Sequence, residues 1–231
     1  MNEYKKFAYY YDEVVQELDY SLWVEFVSPY INNSKILDLA CGTGTFMTML
    51  KLQGNDVEGL DLSESIIEIA KEKAKINHLN MPFYVMNMTE FNLNKKYDVI
   101  TCFFDSINFL KTKEQLNKMF GCVKKHLKVN GYFIFDCFSK TMFEEYANNS
   151  LIEDHHTFKI DWQTKKINSS TLKHDITIFE GDVILKESYY EYFHEIKSLI
   201  PEGFRLVKLC GDFNDNLESE DERILIVLQS C

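Results

Sequence analysis

The residues with the clearest chemical reading are Gly42 and Gly44, within Ala40-Cys41-Gly42-Thr43-Gly44, together with Asp61. The glycine pair follows the apolar run Ile36-Leu37-Asp38-Leu39 and precedes Thr45–Gln53, which reads as a helix. At a strand-to-helix turn the backbone can pass close to a ligand, and glycine removes the β-carbon that would block it. The start of the following helix offers unpaired N–H groups to polar ligand atoms. Asp61 closes the next apolar run, at about the interval of roughly 20 residues where such folds place an acid. A carboxylate there can accept two hydrogen bonds from ribose hydroxyls. A dinucleotide cradle needs a third glycine, and Met47 stands in its place, so NAD and FAD are disfavoured. No GxxxxGK[ST] sequence is present, so a P-loop is not supported.

The elements that must position these residues alternate. Lys35–Leu39, Asp56–Leu60, Pro82–Val85, Tyr97–Phe103 and Gly131–Asp136 read as strands. Thr45–Gln53, the run from Ser63 to His78 and Lys113–Leu127 read as helices between them. Such alternation implies βαβ units and a parallel sheet. Two N-terminal helices are expected at Tyr4–Asp19 and Ser21–Ile31, from apolar residues at three- and four-residue spacing. Beyond about residue 150 the pattern changes: Phe158–Trp162, Lys166–Phe179 and Val183–Phe193 alternate, with Gly181-Asp182 as a turn, and predict antiparallel strands over one end of the sheet. A short helix at His194–Ile200 and strands at Phe204–Cys210 and Arg223–Leu228 complete the reading. The expectation is one Rossmann-like α/β domain over 1–231. It has a seven-stranded, mostly parallel sheet with helices on both faces, a helical lid at 1–33 and a small antiparallel β insertion at 150–196.

Composition narrows the partners. The 231 residues carry a net charge of −11, and the isolated Lys95-Lys96, Lys124-Lys125 and Lys165-Lys166 pairs make no basic track, so nucleic acid is a disfavoured partner. No run reaches the roughly 20 apolar residues of a membrane span, and the start of the chain has no apolar leader segment. The six cysteines form no CxxC pair, which predicts reduced thiols in a cytoplasmic protein and no metal site.

Ile36-Leu37-Asp38-Leu39-Ala40-Cys41-Gly42-Thr43-Gly44 resembles the first motif of class I S-adenosylmethionine (SAM)-dependent methyltransferases. The resemblance continues through Gly59-Leu60-Asp61-Leu62-Ser63, Tyr97-Asp98-Val99-Ile100 and Leu127-Lys128-Val129-Asn130-Gly131. The tail, Gly203-Phe204-Arg205, Gly211-Asp212-Phe213 and Glu222-Arg223-Ile224, is similar to the end of the small-molecule branch, which includes sugar and glycine-type N-methyltransferases. The resemblance implies SAM as cofactor, bound across the ends of the first, second and fourth strands, and a sheet whose last hairpin is reversed. It places Ala40, Cys41, Gly42 and Gly44 against the methionine part, Asp61 on the ribose and Leu62 on the adenine. Asn87 and Met88 follow the third strand, where the family usually has an acid for the adenine amino group; Asn87 departs from that pattern but keeps an acceptor oxygen. Phe103 and Phe104 end the fourth strand, where an aromatic face favours a sulfonium, or else they are core. The N-terminal aromatics are similar to the lid of the same branch, with Tyr11 and Trp23 as cofactor or pocket contacts, or as an amphipathic helix packed on the sheet.

Methyl transfer from a sulfonium depends chiefly on positioning, and a base is needed only when the acceptor arrives protonated. Asp105 after the fourth strand and Asp136 at the end of the fifth are the candidate catalytic carboxylates; otherwise they are a helix cap and a strand-end acid. His155-His156 could line the pocket, or be a surface pair. The reading is therefore a methyltransferase acting on nitrogen or oxygen of a small molecule, as a monomer or homodimer. The alternatives are a tRNA or rRNA methyltransferase and a non-catalytic SAM-binding module.

Overall fold

A computed structural model describes residues 7–231. A seven-stranded sheet contains β1 (Lys35–Leu39), β2 (Asp56–Asp61), β3 (Phe83–Val85), β4 (Tyr97–Cys102), β5 (Leu127–Phe138), β10 (Phe204–Gly211) and β11 (Arg223–Ser230), in the order β10-β11-β5-β4-β1-β2-β3. β1 to β5 pair in parallel, and β11 runs antiparallel to both β5 and β10. This is a Rossmann-like arrangement with the reversed final hairpin that the resemblance implied. The order reverses between β1 and β4, so a crevice opens beyond their carboxyl ends, where open α/β sheets bind ligands.

The helices α3 (Thr45–Leu52), α4 (Glu64–Ile76) and α5 (Lys113–His126) join the parallel strands. Ser63 caps α4 through the Ile66 N–H, and Thr112 with Gln115 forms a capping box at α5. Two clusters fill the layers either side of the sheet, one around Val27, Ile36, Met47, Leu50 and Val57, the other around Leu37, Ile100, Met119, Phe133 and Phe135.

A second sheet, β6 (Ser150–Asp154), β7 (Lys159–Asn168), β8 (Thr171–Glu180) and β9 (Val183–Tyr192), is an antiparallel meander. The single run expected over Lys166–Phe179 is two strands, with Ser169-Ser170 in the turn, where Asn168 Oδ1 accepts the Ser170 N–H at 2.9 Å. β6 and a helix, α6 (Lys140–Tyr146) capped by Ser139, precede it. β5 begins earlier than expected, with Asn130 in the left-handed region and a register shift against β4.

The long helix expected from Tyr4 does not form. Residues 4–6 lie outside the described residues; beyond them come a 3-10 turn at Phe7–Tyr9 and a single turn, α1 (Tyr11–Val14). The side chains here are drawn in two directions. Phe7 and Tyr10 meet Trp162 and Phe158 of the second sheet, while Asp12 reaches the glycine turn of the first. α2 (Ser21–Val27) then gives way to a 3-10 turn at Ser28–Tyr30, where Pro29 lacks the N–H an α-helix needs.

Candidate functional site

The turn after β1 is built from left-handed residues: Ala40 (φ 52°), Gly42 (φ 55°) and Gly44 (φ 77°). Gly44 serves packing, because a β-carbon there would meet the Phe83 ring at 3.3 Å. A β-carbon on Gly42 would meet nothing within 4 Å, so that face of the turn is open to a ligand. The third glycine of a dinucleotide fold is replaced by a trade across the layer. Met47 fills the helix position and the glycine sits on the strand instead: a β-carbon on Gly59 would lie 2.4 Å from Met47 Sδ and 2.8 Å from Cys41 Sγ. The Cys41 side chain therefore belongs to the core, and only its backbone lines the turn.

Asp61 accepts the N–H of Gly42 at 3.1 Å and of Ser63 at 2.9 Å, one on each carboxylate oxygen. Burial pushes it above the usual carboxylate range, against these N–H bonds. The Leu62 N–H also bears on this carboxylate, so of its roughly four acceptor positions about one is left. Leu62 beside it is 54% exposed, an apolar side chain at the cleft edge. Asn87 and Met88 are half-buried past β3. The Asn87 oxygen already accepts the Thr89 N–H and hydroxyl, each at 2.9 Å, which corrects the expectation that it is free for an adenine amino group; its amide N–H donors are the groups left to face a base.

Sequence reasoning passed over Asp38. It lies at the end of β1, 4% exposed, and accepts the Thr101 hydroxyl at 2.6 Å. Burial pushes its carboxyl up to about 7, with Asp61 and Asp136 adding to the rise against the Thr101 bond. Among the described residues no cation pairs with it.

The turn after β4 is strained in the same way. Phe104 (φ 58°) and Asp105 (φ 59°) are consecutive non-glycine residues in the left-handed region, each costing of order 1–3 kcal/mol, as is common at ligand sites. Of the two aromatics, Phe103 is 1% exposed and belongs to the core, against the expectation placed on it. Phe104 is half-buried and lies between Tyr20 (5.0 Å) and Trp23 (4.6 Å).

Asp105 and Asp136 form one assembly around Arg223. Arg223 Nη1 lies 2.7 Å from Asp105 Oδ1 and 3.0 Å from Asp136 Oδ2, and Nη2 lies 3.0 Å from Asp105 Oδ2. Trp23 Nε1–H donates to Asp136 Oδ2 at 2.7 Å, and the Asp105 N–H donates to Asp136 Oδ1 at 2.9 Å. Asp136 is 0% exposed with these donors around it, so it braces the turn and has no access to a reacting atom. Trp23 is equally buried, under the Arg223 guanidinium at 5.2 Å, and supports the site from behind, which corrects its expected ligand contact. Asp105 keeps partial exposure. Burial pushes its carboxyl above the usual carboxylate range, the Arg223 charge opposing and the Asp136 charge adding. A signal for Arg223 existed in the tail motif Glu222-Arg223-Ile224, but nothing in the sequence said which acid it meets.

The N-terminal segment closes over both turns. Asp12 accepts the Thr43 hydroxyl at 2.5 Å and pairs with Lys73 Nζ at 2.6 Å, and Lys73 also donates to Thr43 and Thr45. Tyr11 has its hydroxyl pushed up, first by burial and then by Tyr20 and the charges of Asp12, Asp61 and Asp105. On the other side Tyr10 donates to Glu180 at 2.7 Å. His155 stacks on Phe158 between Glu13 and Glu153, while His156 is exposed.

Comparison with known proteins agrees with this geometry. Residues 36–131 match the family profile described as a methyltransferase domain. A protein of Geobacillus sp. described provisionally as a methyltransferase is 28% identical over 97% of this chain and 98% of its own. A dTDP-3-amino-3,4,6-trideoxy-alpha-D-glucopyranose N,N-dimethyltransferase of Streptomyces venezuelae is 30% identical over 45% of this chain and 42% of its own. The crystal structure of a SAM-dependent methyltransferase from Clostridium acetobutylicum superposes with a TM-score of 0.86 at 26% identity, covering 98% of both chains.

Proposed function

We propose that this chain, whose residues 36–131 match a methyltransferase domain, is a SAM-dependent enzyme that moves the methyl group to a nitrogen or oxygen of a small molecule. The observation that carries this reading is the open face of Gly42 beside the buried Asp61, whose carboxylate keeps an acceptor position. That combination suits a ligand with ribose hydroxyls at one end and a polar chain at the other. Asp61 binds the ribose, Leu62 covers the adenine, and the 40–44 backbone with Asp38 receives the amino-acid end, whose ammonium offsets the Asp38 charge. When bound, SAM supplies a methyl group already activated on a sulfonium, so positioning carries most of the rate.

The chain's own work is to orient and to dry the cleft. Phe104 presents an aromatic face beside the β4 turn, which favours a cation. Tyr11 closes the cleft from above, and the Asp12–Thr43–Lys73 contacts hold it there. Asp105, fixed bidentately by Arg223, orients the acceptor, and Asp136 is a positioning group. Residues 7–33 serve as lid and 150–196 as the acceptor-side insertion of one domain. The absence of a basic track leaves a small molecule, not RNA, as the acceptor.

Calorimetry with SAM tests this. Wild-type protein binds; Asp61→Ala loses about 10- to 100-fold, the worth of one charge-assisted hydrogen bond at ~1.5–3 kcal/mol. A wild-type chain with no measurable affinity for SAM or S-adenosylhomocysteine overturns the assignment.

A further inference from the structure

The turn that follows β3 fixes which way round the Asn87 amide faces. Asn87 Oδ1 accepts the Thr89 N–H and the Thr89 hydroxyl, each at 2.9 Å. A carbonyl oxygen has two lone pairs, and both are engaged. A backbone N–H can only donate, so turning the amide over would set the Nδ2 donors against it and lose both bonds. The main chain holds the same turn, with the Glu90 N–H donating to the Asn87 carbonyl at 3.0 Å. Half-buried Asn87 keeps Nδ2, which has two donors and meets no acceptor among the described residues.

This amide stands close along the chain to the acid read as the ribose ligand. Val85, which ends β3, is the register partner of Asp61, and the Met86 N–H donates to the Asp61 carbonyl at 2.9 Å. Asn87 is thus one residue beyond a bond to Asp61. Apolar surface at these strand ends is uncovered, with Leu62 54% and Val85 49% exposed. On the reading above, a base seated on Leu62 turns its polar edge to the residues after β3. There it meets donors, where the resemblance led us to expect an acid. Purine edges differ in this respect: a 6-amino group donates and a 6-keto oxygen accepts, while ring N1 of adenine also accepts.

We propose that Asn87 makes the base subsite indifferent to the 6-amino group, so that a nucleoside with a keto oxygen at position 6 binds nearly as well as adenosine. The proposal rests on the methyl-transfer reading above and sets the class of nucleoside its cofactor site accepts. Nδ2 donates to N1 of adenine or to a 6-keto oxygen, and one hydrogen bond forms in either case. A carboxylate at this position would accept from a 6-amino group and oppose a 6-keto oxygen. A site built on such a bond rejects, by orders of magnitude, the analogue that cannot make it. Here that selection is given up, because the one oxygen able to accept is already held by Thr89.

The test is calorimetry on the whole chain with S-adenosylhomocysteine and with S-inosylhomocysteine, its 6-keto counterpart. Wild type is expected to bind the two within about tenfold of each other, no more than the worth of one neutral hydrogen bond. Asn87→Asp keeps the turn, since aspartate makes the same bond to the Thr89 N–H, and frees a second oxygen to accept. It is expected to widen the preference for the adenosyl compound by at least about tenfold over wild type. If wild type separates the two by more than that first margin, or the ratio is unchanged in Asn87→Asp, the proposal is overturned and the methyl-transfer reading stands. If neither compound binds, the methyl-transfer reading falls, and this proposal with it.

Discussion

Replacing Asp38 by asparagine is expected to stabilise the ligand-free protein at alkaline pH while weakening SAM binding. The Asp38 carboxyl is raised from 3.8 to about 7 by burial. The folded state therefore holds a proton that the unfolded chain releases near pH 4, and wild-type stability falls as pH rises from about 4 to about 7. The substituted amide has no proton to lose. Its N–H groups impose a fixed cost if left unbonded, about 1–3 kcal/mol, but that cost does not vary with pH. Nor does Asp105, present in both proteins, affect their difference. Between pH 5.5 and pH 8.5 the stability of Asp38→Asn relative to wild type should therefore rise by about 2 kcal/mol, at ~1.4 kcal/mol per pH unit up to the folded-state value. For a chain of this size that is a relative gain in Tm of roughly 4–8 °C. Thermal unfolding of both proteins at the two pH values measures it. SAM affinity of the variant should drop about 10- to 100-fold if the ammonium is lost as a charged partner. A Tm difference that is the same at both pH values would refute the reasoning about Asp38.

Two further outcomes are expected. Gly59→Ala places a β-carbon 2.4 Å from Met47 Sδ, so it should destabilise by ~1–3 kcal/mol in urea unfolding; Met47→Ala should relieve the clash, and additivity of the two within ~0.5 kcal/mol would show that they do not share the space. Lys73→Met breaks a half-exposed pair with Asp12 and should cost under ~1 kcal/mol globally, yet hydrogen exchange in residues 7–20 should quicken selectively; unchanged exchange there would mean that the latch does not hold the segment.

The parallel sheet and its ligand turn were legible because they depend on local signals. Glycines that need positive φ, an acid at a fixed interval and apolar strand runs lie within about 30 residues of each other. The support of the site was not legible, because it is assembled from distant parts. Arg223 meets Asp105 across 118 positions and Trp23 meets Asp136 across 113. Asp136 has the type and place of a base, and only three-dimensional contacts show that its oxygens are already engaged. Phe103 and Phe104 are adjacent and chemically equal; the left-handed twist at Phe104 decides which one leaves the core. The first helix failed for a related reason. Its apolar spacing was helical, but its partners lie on two separate sheets.

That divided attachment of Phe7–Val14 has a consequence for how two ligands meet. Asp12 is fastened to the loop that would hold one ligand, and Tyr10, two residues earlier, to the sheet that would face the other. Whatever firms or loosens so short a tether at one end alters the work of occupying the other. By thermodynamic reciprocity, the factor by which the first visitor changes the second one's grip must equal the factor returned.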